Sequence, residues 1–142
     1  MAKEQFVGSW ELKEWTAELS DESKVFPFGE GPKGRLTYDS HGRMAVQIMQ
    51  GNRPKFSSDD PLQAQPEEVV GAYSGFIAYC GTYEVNLETA NVVHSITISS
   101  FPNWVGQDQI RNFEFHGDEL TLSTDLIGGS RHRLVWRKMP HE

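Results

Sequence analysis

Apolar and polar residues alternate along most of this chain, which is the pattern of half-buried β-strands. Eight stretches show the alternation, at residues 10–19, 34–38, 43–50, 78–86, 91–101, 107–115, 119–125 and 131–139. Short connectors with Gly, Asp or Asn separate several of them, as at 39–42, 116–118 and 128–129, and such residues suit hairpin turns. The pattern therefore predicts an all-β fold, an eight-stranded antiparallel barrel of the up-and-down type.

One segment departs from the alternation. Pro66 is followed by two glutamates, and a proline with carboxylates behind it is typical of the first turn of a helix. An apolar stripe with helical spacing follows, formed by Val69, Ala72, Tyr73 and Phe76. We predict one short helix over about residues 66–77, lying against one end of the barrel. The polar stretch before it, 51–65, is either an ordered functional loop or a mobile connector.

Residues in the first and last predicted strands suggest how the barrel closes. Gly8-Ser9-Trp10 opens the first predicted strand, and Arg133 and Arg137 lie in the last one. A guanidinium stacked on an indole would tie these strands together, so we predict that Arg133 or Arg137 packs on Trp10. The alternative is an ordinary buried aromatic residue at the start of a strand.

Composition narrows the class of protein. A chain of 142 residues with 37% hydrophobic residues is expected to form a single domain, 1–142, with a sizeable core. The net charge of −7 and the lack of a Lys/Arg cluster argue against a nucleic-acid partner. We find neither the apolar run of a signal peptide nor about 20 consecutive apolar residues, so we expect a cytoplasmic protein without a membrane span. Cys80 is the only cysteine, which leaves no internal disulfide.

Polar residues on apolar strand faces are the candidates for a binding site. Alternation places His94 on one side with Val92, Ile96 and Ile98, and Arg111 on one side with Phe113 and Phe115. Tyr79 and Tyr83 share a face of the preceding strand. If these faces point inward, the side chains line one partly apolar cavity that suits a carboxylate or an enolate.

Each candidate also has a structural interpretation. A histidine on such a face is often a neutral, hydrogen-bonded core residue, which makes a structural His94 the competing interpretation. Arg111 keeps its proton, so in a buried position it would pair with Glu84 or Glu114, or with an anionic ligand. Aromatic residues near the connectors, including Trp104, would line the mouth of the cavity, form a satellite core or form the contact of a homodimer.

Six short motifs follow one another along the chain: Gly8-Ser9-Trp10, Gly34-Arg35-Leu36-Thr37-Tyr38, Met44-Ala45-Val46-Gln47-Ile48-Met49, Tyr73-Ser74-Gly75-Phe76, Tyr79-Cys80-Gly81-Thr82-Tyr83-Glu84-Val85 and Phe101-Pro102-Asn103-Trp104-Val105-Gly106. In this order they resemble the lipocalin-like domain family of bacterial and fungal proteins. The resemblance implies a small calycin-type barrel with an internal pocket. Some barrels of this kind bind hydrophobic ligands and others catalyse isomerisation or cyclisation, so the fold does not decide the activity.

Three alternative functions follow as hypotheses. The first is the binding of a small hydrophobic or aromatic molecule with a polar or anionic group, by Tyr79, Tyr83, His94, Arg111, Phe113 and Trp104. The alternative is a cofactor-independent isomerase, cyclase or dehydratase, in which His94 moves a proton while Arg111 and Tyr83 hold negative charge on oxygen. A third is an interaction module whose barrel is filled by side chains. The spacing of His, Cys and Gly residues predicts no metal site and no nucleotide cofactor.

Overall fold

The computed structural model describes residues 3–140, and its strands confirm the predicted barrel. Neighbouring strands pair antiparallel in the order β2-β1-β3-β4-β5-β6-β7-β8-β9, and β1 also pairs with β9, which closes the sheet. Eight strands form the wall, and the two-residue β2 only extends one edge of β1. The strands are β1 (Gly8–Leu19), β2 (Lys24–Val25), β3 (Lys33–Tyr38), β4 (Arg43–Met49), β5 (Phe76–Asn86), β6 (Asn91–Ser99), β7 (Asp108–His116), β8 (Glu119–Ser123) and β9 (Ser130–Lys138).

The predicted helix exists, but it is shorter and more exposed than the sequence pattern indicated. Helix α1 is Pro66–Ser74, and Phe76 instead begins β5, where it pairs with Met49 of β4. Pairing with β4 therefore replaces the last helical turn. The predicted apolar stripe is not buried in the helix, because Val69 and Tyr73 are about half exposed and no residue of α1 is buried. Among residues 3–140, no helix is long and apolar enough to cross a membrane.

Aromatic side chains fill one end of the barrel. Phe6, just before β1, is fully buried and makes edge-on ring contacts with Tyr38, Phe113 and Phe115 at centroid distances of 4.9–5.3 Å. Trp10 packs beside this group, and its indole Nε1 donates a hydrogen bond of 2.9 Å to the carbonyl oxygen of Phe6. This end is therefore a packed core, so any internal space lies toward the opposite end.

The predicted stacking of an arginine on Trp10 is wrong. The cation over the indole is Lys138, whose Nζ lies 4.6 Å from the ring centroid, directly across the β1–β9 pairing. Arg133 and Arg137 alternate with the inward residues of β9, so both are exposed, and Arg137 approaches Asp118 and Glu119 outside the barrel. Gly8 makes room for the lysine, because an added Cβ there would lie 2.7 Å from Lys138 Cε.

Two irregularities change which residues face inward. The β1–β9 register shifts between Leu12 and Glu14, so both Leu12 and Trp15 contribute to the interior. The β5–β6 register shifts at Gly81, and a Cβ added to this glycine would lie 1.9 Å from the carbonyl oxygen of Ser95. Beyond that shift Ile98 is 67% exposed, which corrects the prediction that it shares the inward face of His94.

Candidate functional site

A largely apolar cavity of about 270 Å³ occupies the barrel beyond the aromatic core. Every wall strand contributes to it, and loop residues complete its lining. The lining residues are Trp15, Leu36, Val46, Ile48, Ile77, Tyr79, His94, Trp104, Arg111, Leu122, Thr124, Ile127, His132, Leu134 and Trp136. The volume lies just below the roughly 300–1,000 Å³ of small-molecule pockets, so the cavity suits a small ligand.

Indole rings form much of this wall. Three of the four tryptophans line the cavity, namely Trp15, Trp104 and Trp136. Trp104 ends the short 3₁₀ turn Pro102–Trp104 after β6, and its ring stands perpendicular to that of Tyr79 with centroids 5.8 Å apart. Flat, rigid aromatic walls favour flat apolar ligands, because stacking and edge contacts add to the burial of apolar surface.

A histidine held between two tyrosines lies at the base of the cavity. Tyr38 Oη is 2.7 Å from Nε2 of His94, and Tyr79 Oη is 2.8 Å from its Nδ1. His94 is 2% exposed. Burial first, and then the positive charge of Arg111, lower the pKa of His94 from its usual 6.5 to about 3. The imidazole is therefore neutral at neutral pH.

Arg111 places a positive charge in the cavity wall. Its guanidinium donates hydrogen bonds to the carbonyl oxygen of Ile110 at 3.1 Å and to Oε1 of Gln109 at 3.4 Å. Within residues 3–140, no carboxylate forms an ion pair with it. The predicted partners point elsewhere, because Glu84 is exposed on β5 and Glu114 approaches His116 at 3.5 Å. Arg111 is thus available to an anionic or strongly polar ligand group.

Two more nitrogen donors belong to the wall. His132 Nδ1 accepts a hydrogen bond of 3.0 Å from Trp15 Nε1, so a neutral His132 carries its proton on Nε2. Burial, followed by the charge of Arg111, lowers the pKa of His132. Trp136 Nε1 is buried and has no hydrogen-bond partner in the described part of the chain. A buried donor without an acceptor is costly, which favours a ligand or water oxygen nearby.

The structure brings together four of the six residues predicted to bind a ligand. Tyr79, His94, Arg111 and Trp104 all line the cavity. Tyr83 does not, because its ring packs on Tyr38 and its hydroxyl donates a hydrogen bond of 2.7 Å to the carbonyl oxygen of Asp39. Phe113 does not either, since it belongs to the aromatic core around Phe6. The roles of the four cavity residues in binding remain predictions.

Sequence reasoning missed several polar or aromatic lining residues. The sequence does contain a signal for His132, because it lies two residues before Leu134 and four before Trp136 and so shares their face of β9. Trp15 carried no such signal, because the β1 irregularity separates it from the inward face of Trp10. Among residues 3–140, no three His, Cys, Asp or Glu side chains are grouped so that they could hold a metal ion.

Comparison with known proteins settles the family. A family model described as "Lipocalin-like domain" matches residues 7–139. The chain belongs to the lipocalin-like domain family. The 4'-hydroxy-3'-methoxypropiophenone carrier protein ppsC of Aspergillus oryzae is 34% identical over 108 residues, an alignment that covers 68% of this chain and 97% of the relative.

Solved structures with a similar chain path share little sequence with this lipocalin-like protein. A redesigned β-barrel is 12% identical, with a TM-score of 0.47, over 96% of this chain and 93% of the other. The wild-type fluorescent protein UnaG is 12% identical, with a TM-score of 0.45, over 97% of this chain and all of the other. The extracellular fatty acid binding protein As-p18 is 13% identical, with a TM-score of 0.43, over 96% and 97% of the two chains.

Proposed function

We propose that this protein is a carrier for a small, flat aromatic molecule that bears at least one oxygen acceptor. One observation carries the proposal: an aromatic-walled cavity of about 270 Å³ contains a guanidinium, that of Arg111, without an acidic partner among residues 3–140. The walls supply apolar contact, and the cation supplies one strong polar contact that fixes the orientation of the ligand.

The related carrier protein supports a one-ring ligand. Its name gives 4'-hydroxy-3'-methoxypropiophenone, which has a single ring, a ketone, a methoxy group and a phenol. A molecule of that class agrees with the cavity in size, flatness and the number of oxygen acceptors. We therefore choose aryl ketones and phenols with one ring as the first ligands to test.

The alternative of a cofactor-independent isomerase, cyclase or dehydratase has less support. It needs His94 to exchange protons near neutral pH, whereas burial and Arg111 lower the pKa of His94 to about 3. Both ring nitrogens of His94 already contact tyrosine hydroxyls, and Tyr83, assigned to hold negative charge, lies outside the cavity lining. A neutral, hydrogen-bonded His94 fits a positioning role in a binding site better than proton transfer.

The binding experiment uses the three lining tryptophans as reporters. We expect 4'-hydroxy-3'-methoxypropiophenone to quench tryptophan fluorescence saturably, with a calorimetric stoichiometry of one. Arg111→Met should weaken binding by about tenfold or more, since a hydrogen bond to a charged group contributes about 1.5–3 kcal/mol. The matched control is Arg133→Met, because Arg133 lies on the outer face of β9 and should leave the affinity unchanged.

A second variant tests whether the ligand occupies the cavity. Val46 lies on the cavity wall and is 6% exposed, so Val46→Phe should fill part of the space and abolish binding while the barrel still folds. Its control is Val93→Phe, because Val93 alternates with the buried Val92 and His94 and therefore lies on the outer side of β6. The proposal fails if no one-ring aryl ketone or phenol binds, if Val46→Phe binds like the wild type, or if mass spectrometry shows the protein converting a bound ligand to product.

A further inference from the structure

The donor and the acceptor in each of the two hydrogen bonds of His94 can be assigned. Tyr38 is fully buried, and in the described part of the chain the only hydrogen-bond partner of its hydroxyl is His94 Nε2. A neutral imidazole offers one N–H and one lone pair, so one of the two tyrosines donates to His94 and the other accepts from it. Which tyrosine donates decides where the second hydroxyl proton points.

Burial selects one of the two arrangements. If Nε2 of His94 carried the proton, the hydroxyl proton of Tyr38 would be buried without an acceptor, which is unfavourable. If Nδ1 carries it, Tyr38 donates to Nε2 and Nδ1–H donates to Tyr79, so each of these buried protons has a partner. The hydroxyl proton of Tyr79 is then free to point into the cavity that this residue lines. Burial raises the pKa of Tyr79, with Arg111 opposing the rise, so Tyr79 keeps that proton.

The other polar side chains of the wall are also mainly donors. Arg111 has guanidinium N–H groups, His132 carries its proton on Nε2, and the buried Trp136 Nε1 has no acceptor within residues 3–140. The Thr124 hydroxyl oxygen already accepts the backbone N–H of His132 at 3.0 Å. A neutral phenol or carboxylic acid would bring its own proton to a wall with few acceptors, whereas an oxyanion only accepts.

We propose that the cavity binds the polar end of its ligand as an oxyanion attached to an aromatic ring, with Tyr79 and Arg111 as the direct donors and Tyr38 and His94 as positioning residues. This inference rests on the proposed function and names the ionisation state of the ligand. A phenol that enters the site loses its proton to bulk water, and the electron pair of the O–H bond stays on the ligand oxygen. A carboxylate enters already ionised.

The test follows the ionisation of a bound chromogenic phenol. The probe is 4-hydroxyacetophenone, whose phenolate absorbs at longer wavelength than the phenol. We expect the pKa of the bound phenol to be lower than that of the free phenol by about one unit or more, because a cation and aligned donors stabilise the charged form. The nearby groups that contribute are Tyr79 on β5, His94 on β6, Arg111 on β7 and His132 on β9.

The variants separate direct donors from positioning residues. Tyr79→Phe and Arg111→Met should each remove most of the pKa shift of the bound phenol. Tyr38→Phe should remove part of it, since Tyr79 can then donate to Nδ1 of His94 instead of to the ligand. The matched control is Tyr83→Phe, which loses a phenol hydroxyl outside the cavity and should keep the full shift. Thermal unfolding of each variant distinguishes a lost shift from a lost fold.

Two ligand pairs distinguish the sources of the oxyanion. If the site accepts carboxylates, we expect 4-acetylbenzoate to bind more tightly than acetophenone. If the site takes phenolates alone, only 4-hydroxyacetophenone should bind more tightly than acetophenone.

The inference is overturned if the bound phenol titrates at or above its free pKa, or if neither oxyanion binds more tightly than acetophenone. The positioning role is overturned if a folded Tyr38→Phe keeps the full shift. If Tyr38→Phe does not fold, the pKa of the phenol bound to Tyr79→Phe shows whether the Tyr79 hydroxyl donates to the ligand. Binding without a shift would leave the proposed carrier function intact, whereas no binding of any probe would refute that function.

Discussion

Trp15 Nε1 donates a hydrogen bond of 3.0 Å to Nδ1 of His132, which links β1 to β9 inside the cavity. The bond needs a lone pair on Nδ1, so it stabilises the neutral imidazole and opposes its protonation. Burial and the positive charge of Arg111 lower the pKa of His132 in the same direction. The three effects keep a neutral Nε2–H donor in the wall.

We therefore expect Trp15→Phe to raise the pKa of His132 toward its usual value, because the donor that favours the neutral form is lost. Imidazole resonances followed by NMR over a pH series measure the change. Trp104→Phe is the control, since Trp104 also lines the cavity but has no hydrogen bond to His132. An unchanged His132 pKa in Trp15→Phe would show that the hydrogen bond does not set the protonation state.

The difference between Trp15 and Arg111 shows what strand alternation can and cannot predict. Arg111 and His94 lie in regularly paired parts of β6 and β7, so every second side chain reaches the interior as expected. Trp15 follows a register shift in β1, and Ile98 lies beyond another in β6. A bulge changes the facing of every residue after it, and the sequence pattern alone did not place either one.

Strand alternation also does not predict how far along the barrel axis an inward side chain lies. Tyr83 lies on the same face of β5 as Tyr79, and Phe113 on the same face of β7 as Arg111, yet both belong to the aromatic end. Alternation predicts whether a side chain lies inside or outside the barrel. The height at which the cavity begins depends instead on how Phe6 and its neighbours pack. That packing is a tertiary property.

The contact between Trp10 and Lys138 should stabilise the fold measurably. We expect the double-mutant cycle of Trp10→Leu and Lys138→Met, followed by chemical denaturation, to give a coupling free energy of about 0.5–2 kcal/mol. Trp10→Ala alone should lower the free energy of unfolding by about 3–5 kcal/mol because it also leaves a cavity. Arg137→Met serves as the control, because Arg137 faces Asp118 and Glu119 and should not couple to Trp10. A coupling free energy near zero with Lys138 would mean that Trp10 acts only through packing.

The buried His94 should make the fold less stable in acid. Its pKa is about 3 in the folded protein and close to its usual 6.5 when unfolded, so the unfolded chain binds the extra proton between these values. The contribution of neutral His94 is therefore fully present above about pH 6.5 and decreases as the pH falls toward 3. The free energy of unfolding should fall by about 1–2 kcal/mol per pH unit in this range, and the full loss is on the order of 5 kcal/mol.

Denaturation at pH 7.5, 6, 5 and 4 tests this by comparing the wild type with His94→Gln. The variant loses the titrating group and keeps an amide that can hydrogen-bond Tyr38 or Tyr79, so its unfolding free energy should fall less steeply with acid even if it is lower at pH 7.5. Acidic side chains titrate in both proteins, and the difference between the two curves removes their common contribution. His41→Gln at an exposed turn should follow the wild type. Parallel curves for the wild type and His94→Gln would mean that His94 gains protons equally in the folded and unfolded states, which the two buried hydrogen bonds to tyrosine argue against.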